Sequence, residues 1–543
     1  MKWHFAGIWE TVADAVPHAP ALSFEGRTTS WAAYEDRAAR LASALMAAGV
    51  GHDSKAAIYA FNSPAWLEAQ FAVFKTRAWP INVNYRYVES ELVYLLDNSD
   101  SEALIFDAQF APRVRDILPK LPKIRVLIEI DDGSGEHLEG ALAYETLISQ
   151  SDPLPRQDYS EDDVYLMYTG GTTGMPKGVM YRQGDFARGL LMSAWSLRGH
   201  TPPESAEALA AQVRDLVASG QAPVSIPACP LMHATGMCLG AMHAHQMGGS
   251  VAIFRNGHFD AEALWRFAAA EKASDIAIVG DAFARPMIQA LEAARAAGHP
   301  HDLSALRRII SSGVMFSQES KATLLEMADI TIIDSMGSSE GGMGLSIVNR
   351  ETRAGETARF LKNPGTRVLT EDGRDVEPGS DEVGMIANGG MVPIGYYKDE
   401  AKTAMTFKTI DGQRYSFPGD YAKVSADGSL IVLGRGSNCI NTGGEKVYPE
   451  EVEEALKSHP DVRDCLVVGV PDERFGQRIA ALVAARQGCD LDTAALAGFV
   501  RTRLAGYKTP RQIITVGEVR RAANGKADYR WAREAAQAAD EAR

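Results

Sequence analysis

The sequence predicts an α/β protein. Its large N-terminal domain holds two α/β subdomains and a small β barrel, and a small α+β domain follows. Three observations carry this. Short apolar runs alternate with helix-period segments through the first 345 of 543 residues, the pattern of helices layered on a mostly parallel sheet. From about residue 350, glycines punctuate short β-like runs, which fits a barrel or sandwich. After Gly434-Arg435-Gly436-Ser437 a fresh helix and strand pattern covers the last 110 residues or so. The expected boundaries are 1–434, with subdomains at about 1–190 and 191–345 and the barrel at about 350–430, then 435–543, with a hinge near 435–438.

Taken in order, Ala21 to Phe24 and the Glu25-Gly26 turn read as a hairpin, and Ser30 caps a helix that Gly49 stops. Ala56 to Ala60 is a strand, Pro64 to Thr76 a helix opened by its proline, and Pro80 to Val83 an apolar run. A helix at Glu89 to Asn98 precedes strands at Ala103 to Phe106 and Val126 to Ile130. Val164 to Met167 is a strand, and Gly184 to Leu197 and Glu204 to Ala218 are helices. The pattern resumes with Val224 to Ile226, a helix near 233–247, Val251 to Phe254, Ala261 to Ala270, Ile276 to Val279 and Ala282 to Ala294. Leu306 to Ser311 and Thr331 to Asp334 are further strands. In the β-rich region Glu382 to Ala387, Tyr421 to Val424 and Leu430 to Leu433 stand out. The last unit reads helix Glu450 to Ser458, strands Val462 to Val470 and Ile479 to Ala484, helix Asp492 to Leu504 and strand Gln512 to Val516.

Apolar residues make up 46% and charged residues 23%, the balance of a soluble globular protein. A net charge of −15 is not the footprint of a nucleic-acid binder. The five cysteines are odd in number, spread out and without CxxC spacing, which points to a reducing compartment rather than a disulfide scaffold. Neither a signal-peptide segment nor a membrane-spanning apolar run is present, so a cytoplasmic protein without a transmembrane segment is expected. A homodimer is the common default for such a chain.

Chemistry concentrates in a few stretches. In Tyr168 to Val179 seven of twelve positions are glycine or threonine, and Lys177 is among the rest. Close-approaching backbone N–H groups, hydroxyls and a mobile ammonium suit a polyphosphate. It is not a Walker A loop, because Gly178 follows the lysine. His233 in Pro230-Leu231-Met232-His233-Ala234-Thr235-Gly236 reads, on its own, equally as a helix-start residue packed on the sheet. Asp334-Ser335-Met336-Gly337-Ser338-Ser339-Glu340-Gly341-Gly342 follows a strand, where ligands of α/β sheets usually sit.

These segments resemble the motifs of the adenylate-forming superfamily, which contains acyl-CoA synthetases, luciferases and peptide-synthetase adenylation domains. Six of them occur in order over about residues 10 to 530. The resemblance implies that Thr169, Gly170, Gly171, Thr172, Thr173, Gly174 and Lys177 hold the phosphates of ATP. It places Ser312, Gly313, Ser335, Met336, Gly337, Ser338 and Ser339 around the nucleotide, with Met336 where the family has an aromatic and Ser339 where it has threonine. Glu340 would hold Mg²⁺. Asp420, in Tyr415-Ser416-Phe417-Pro418-Gly419-Asp420, would accept from the ribose hydroxyls, and Arg435 would contact ribose or phosphate. Gly443, Gly444 and Lys446 would receive the pantetheine arm of CoA, and Ser437 marks the hinge without the family's usual charge. Arg520 to Tyr529 lacks the family's leading proline but keeps Asn524-Gly525-Lys526, which makes Lys526 the catalytic lysine. His233, Met237, Val279, Phe283, Val314, Gly341 and Met343 would line the acyl pocket, with His233 and Lys177 assisting catalysis.

The implied reaction is AMP-forming acyl-CoA ligation of a carboxylic acid, using ATP, Mg²⁺ and CoA, with a mobile C-terminal domain serving the two half-reactions in turn. No acid occupies the place where amino-acid-activating relatives bind an ammonium. The form of the Gly434–Val447 segment is similar to bacterial ligases for medium or long acyl chains and for bulky acids such as sterol side chains. An aryl-acid, luciferase-like or adenylation-only enzyme, and a non-catalytic nucleotide- or acyl-binding homologue, stay open on sequence alone.

Overall fold

The computed structural model describes residues 2–171, 174–254, 259–352, 359–442, 445–472, 475–521 and 525–541. The first sheet is wholly parallel, in the order Trp79–Asn82, Lys55–Tyr59, Ala103–Asp107, Val126–Ile130 and Leu142–Ala143. Ser30 caps the helix Trp31–Ala47 by accepting from Ala33 N at 3.3 Å, and Pro64 opens Pro64–Lys75. Both helices turn large apolar side chains inward. Trp9, Trp31, Tyr34, Phe71 and Phe74 are fully buried in the main core, each worth about 1.5–3 kcal/mol of transfer from water. Trp9 belongs to a helix, Phe5–Ala15, that the sequence reading omits. Its buried Phe5, Ile8, Trp9 and Val12 follow the helical period.

The second sheet begins with the N-terminal hairpin, Pro20–Phe24 with Arg27–Ser30. Chain order and sheet order part here, because on its other side Pro20–Phe24 pairs in parallel with Ser250–Ala252 rather than with the strands that follow the hairpin in sequence. The parallel run continues through Val224–Pro227, Asp275–Ile278 and Arg308–Ser312 to Thr331–Ser338. Thr331–Ser338 extends past the expected Asp334 and folds back, antiparallel, onto Gly341–Val348. Small residues from Ser335 to Gly344 hide this hairpin from any apolar pattern. From there Arg359–Lys362, Leu430–Arg435, Asp420–Val424 and Gly384–Asn388 continue the ladder, so the glycine-punctuated region joins the α/β sheet edge to edge.

In the C-terminal unit the hairpin Val462–Asp472 with Gly476–Ala485 pairs with Ile440–Thr442 and, in parallel, with Gln512–Val516. Strand alternation decides the layers. Cys465 and Val467 face the helices Pro449–Lys457 and Thr493–Arg501, whereas Leu466, Val468 and Val470 face the helix Tyr529–Glu541.

Candidate active site

The glycine- and threonine-rich stretch is the tip of a hairpin. Val164–Gly171 pairs with Gly174–Arg182, setting Thr169 opposite Lys177 and Gly171 opposite Gly174, while Gly170 lies on the first strand. Thr172 and Thr173 lie outside the described residues. Two asparagines from the C-terminal ends of the first sheet hold the histidine segment, and one of them, Asn82, also ties it to this hairpin. Asn82 donates to the carbonyls of Tyr168 (2.8 Å) and Met232 (2.7 Å) and accepts from Tyr168 N. Asn62 accepts from Leu231 N and donates to the Cys229 carbonyl. The sequence reading missed both, since a lone asparagine after a strand carries no motif.

Beyond His233 the chain forms a π-helical stretch, Thr235–Met242, in place of the expected regular helix. Gly236 permits it: a Cβ there would lie 2.4 Å from the Pro230 carbonyl oxygen. Met237 from this stretch is fully buried in the main core, its sulfur touched by Gln70 and Tyr165.

The strand ends of the second sheet bring Ser312 level with Ser335. Gly313, with φ of +97°, sits where a Cβ would be 3.6 Å from Val279 and 3.7 Å from the Thr235 hydroxyl. Met336, Gly337 and Ser338 continue along the same strand, and the Ser339-Glu340 tip is anchored from three sides. Tyr181 donates to the Ser339 carbonyl (2.8 Å), Ser416 to the Glu340 carbonyl (2.8 Å) and Tyr396 to Glu340 Oε1 (2.6 Å). Tyr396 reaches the site because Gly395–Tyr396 pairs with the Lys177-bearing strand, a long-range fact with no local sequence signal.

Asp420 and Arg435 face one another across adjacent strands, with Arg435 Nε 3.5 Å from Asp420 Oδ1. Asp420 Oδ2 is buried and has no hydrogen-bond partner among the described residues. Burial raises its pKa, Glu340 adds to the rise and Arg435 opposes it. An acceptor left over beside a guanidinium fits a hydroxyl donor such as a ribose.

Lys526 completes the group from the other domain. It follows Gly525, whose position would put a Cβ 2.8 Å from Ala282 and 3.5 Å from Val279. Lys526 is exposed by area, yet desolvation at the cleft pushes its pKa down, Arg435 adds to that and Glu340 opposes it. His233 is pushed down to about 4 by burial, then by Lys526 and Arg86. These mutual influences put Lys526, His233, Glu340, Asp420 and Arg435 in one electrostatic neighbourhood. Among the described residues no cluster of three or more His, Cys, Asp or Glu could hold a metal by itself. One carboxylate with substrate phosphates suffices for Mg²⁺, and Glu340 is the carboxylate expected in that role.

The expected acyl-pocket residues divide. Val279, Phe283 and Val314 share one cluster, Phe283 packed 4.4 Å from the ring of Phe259. Met343 does not join them; strand alternation sends it into the β-rich core with Phe360, Ile386 and Leu430. Gly341, with φ of +140°, packs against Asn388. Gly443, Gly444 and Asn524 lie outside the described residues. Lys446 lies on the strand Glu445–Val447 opposite Asn441, and Ser437 lies in the turn Gly436–Asn438.

A doubly layered α/β domain, a phosphate-type hairpin and a lysine delivered by a second domain define an enzyme that activates a carboxylic acid as an adenylate. The chain belongs to the AMP-binding enzyme family, which it matches over residues 9–397, with the AMP-binding enzyme C-terminal domain matching residues 451–526. It is 43% identical to a 3-oxocholest-4-en-26-oate–CoA ligase of Rhodococcus rhodochrous, over 98% of this chain and 96% of that one. The same identity and coverage hold for a medium/long-chain-fatty-acid–CoA/3-oxocholest-4-en-26-oate–CoA ligase of Mycolicibacterium smegmatis. The fold is shared with the anthranilate CoA ligase AuaEII in complex with anthranoyl-AMP, with a TM-score of 0.85 and 21% identity over 99% of this chain and 98% of that one. This protein is an AMP-forming ligase, and among its described helices none is long and apolar enough to cross a membrane.

Proposed function

We propose that the protein joins CoA to a medium- or long-chain fatty acid or to a bulky apolar acid such as a sterol side chain. The observation that carries the choice is the 43% identity, over nearly the full length of both chains, to ligases named for those acids. The apolar group of Val279, Phe283 and Val314 beside the Lys526 turn supports it.

In the first half-reaction the acid's carboxylate oxygen attacks the α-phosphorus of ATP, the bond to pyrophosphate breaks and acyl-AMP forms. Lys526 offsets charge where carboxylate and α-phosphate meet, Lys177 and the hairpin backbone hold the outer phosphates, and Asp420 with Arg435 fixes the ribose. Glu340 would hold Mg²⁺, which would supply charge neutralisation on the polyphosphate. His233 stays neutral and shapes the acyl side of the cleft. In the second half-reaction the CoA sulfur attacks the acyl carbonyl as its proton passes to solvent, and AMP leaves. Gly443, Gly444 and Lys446 are the proposed pantetheine surface, presented when the domain turns about 435–438.

The test measures AMP and acyl-CoA formation with Mg·ATP and CoA across short, medium and long fatty acids, aryl acids and sterol side-chain acids. Thioester with long or bulky acids, and loss of AMP formation in Lys526→Ala by about 100-fold or more, is the expected result. Preference for acetate or an aryl acid would overturn the substrate reading, and adenylate without thioester would overturn the acceptor.

A further inference from the structure

The two domains touch through a small set of charged groups that the nucleotide site does not use. On the large domain, Arg285 lies on the helix Gly280–Ala296, the helix on which the Gly525 turn rests. Arg285 Nη1 donates to the carbonyl of Arg463 in the C-terminal domain at 2.6 Å, and its Nη2 lies 3.6 Å from Glu319 Oε2. Glu319 Oε1 in turn accepts from Arg486 of the C-terminal domain at 2.6 Å. Asp281 holds this end of the large domain in register, accepting from Ser317 N and Oγ at 3.0 Å and facing Arg285 Nε at 3.3 Å.

The grip falls next to the support of Lys526. Arg463 precedes Asp464, whose carboxylate takes a two-pronged bond from Arg521 at 2.7 and 2.8 Å. Arg521 also donates to the Gly525 carbonyl at 3.3 Å, and its backbone bridges to Ala527 on the far side of Lys526. Against the cost of burial, the Arg521 fork and then Lys457, 3.4 Å away, hold that carboxylate's pKa low. A physical path therefore runs from Arg285 through the 463–464 backbone and the Asp464–Arg521 fork to the catalytic turn. A planar guanidinium fork fixes direction as well as distance.

We propose that Arg285, Glu319 and Arg486 form a cross-domain latch that holds Lys526 in the nucleotide cleft and so favours adenylate formation over thioester formation. These are positioning residues, acting through the Asp464–Arg521–Gly525 brace. The latch must open for the domain to turn, and its weakness suits that. Glu319 and Arg486 are 49% and 39% exposed, where an ion pair is worth at most about 1 kcal/mol. This shifts a closure equilibrium by a few-fold without locking it.

The inference rests on the two-step reading above, so its test has one readout that needs no turnover. Spin labels at Met192→Cys and Tyr507→Cys, one exposed site on each domain, report the inter-domain distance in protein whose Cys439 and Cys489 are serine. The intact latch gives a population at the separation of this structure. Arg486→Gln or Glu319→Gln reduces it about 2- to 5-fold, and Arg486→Lys, which keeps a cation facing Glu319, retains most of it. In parallel, pyrophosphate exchange falls by the same factor in the single variants, while thioester formation from supplied acyl-adenylate is unchanged or faster. Identical distance distributions in wild type and variants, equal loss of both half-reactions, or a loss in Arg486→Lys as large as in Arg486→Gln overturns the latch. A wild type that exchanges no pyrophosphate with any acid, yet shows the distance change, instead overturns the activity reading.

Discussion

Glu450 opens the helix Pro449–Lys457 and turns its carboxylate against the domain junction. Its Oε2 is buried, lacks a hydrogen-bond partner among the described residues, and occupies the space a side chain at Gly434 would need. The Arg435 backbone N–H donates to it, and Glu453 and Asp420 bring like charge. Burial, then Glu453, raises its pKa to about 8. A carboxyl whose pKa is higher folded than unfolded stabilises the fold below the unfolded value, near 4.5, and loses that contribution as pH climbs toward 8. Linkage with these two values puts the loss between pH 5 and 7 at about 2–3 kcal/mol, an upper bound because the junction can admit water. Glu450→Gln keeps the shape of the protonated acid and removes the ionisation. Wild type and variant should melt together at pH 5 and separate as pH rises, the variant higher at pH 8 by about 2–3 °C if the chain unfolds as one unit. Thermal unfolding followed at half-unit steps reads this directly. Parallel curves from pH 5 to 8.5 would refute the claim that this carboxyl is held neutral.

Three further outcomes follow from the same junction and cleft. Gly434 has φ of +116° and no room for a Cβ, which would fall 2.1 Å from Glu450 Oε2. Gly434→Ala should cost about 2–4 kcal/mol in chemical denaturation, and adding Glu450→Ala should recover the steric part but not the backbone strain. Asp420→Asn should raise the KM for ATP about 10- to 100-fold; an unchanged KM would detach Asp420 from the nucleotide. His233, held down to about 4, is neutral above pH 6.5, and its contribution is lost as pH falls from 6.5 toward 4. His233→Gln should therefore blunt acid unfolding by about 1–2 kcal/mol at pH 5 and remove no step near pH 6.5 from the rate profile.

Local order was legible wherever one segment carried its own pattern. Ser30, Pro64 and the Glu89–Asn98 run set their elements without help from distant residues, because caps, a tolerated proline and the helical period act within one turn. The motif residues were legible for a related reason: glycine, a short hydroxyl and one lysine or carboxylate are needed wherever a backbone must meet a phosphate. What the chain's own text could not supply is partnership. Asn82 binds the histidine segment to the glycine hairpin and Asn62 fastens the histidine segment to the first sheet, and Tyr396 reaches Glu340 only because a two-residue strand adds to a distant sheet. Met343 and Val279 look alike in sequence, and strand direction alone separates core from cleft. The small-residue hairpin at 331–348 exists because neighbouring strands satisfy its backbone, which no apolar period announces. Domain closure is the extreme case. Lys526 in its own segment is a surface lysine on a glycine turn, and it comes within the electrostatic reach of Arg435, Glu340 and His233 only through the packing of one domain on the other. Residue type fixes what chemistry a group can do; packing between segments fixes which groups share the same few ångströms of low-dielectric space.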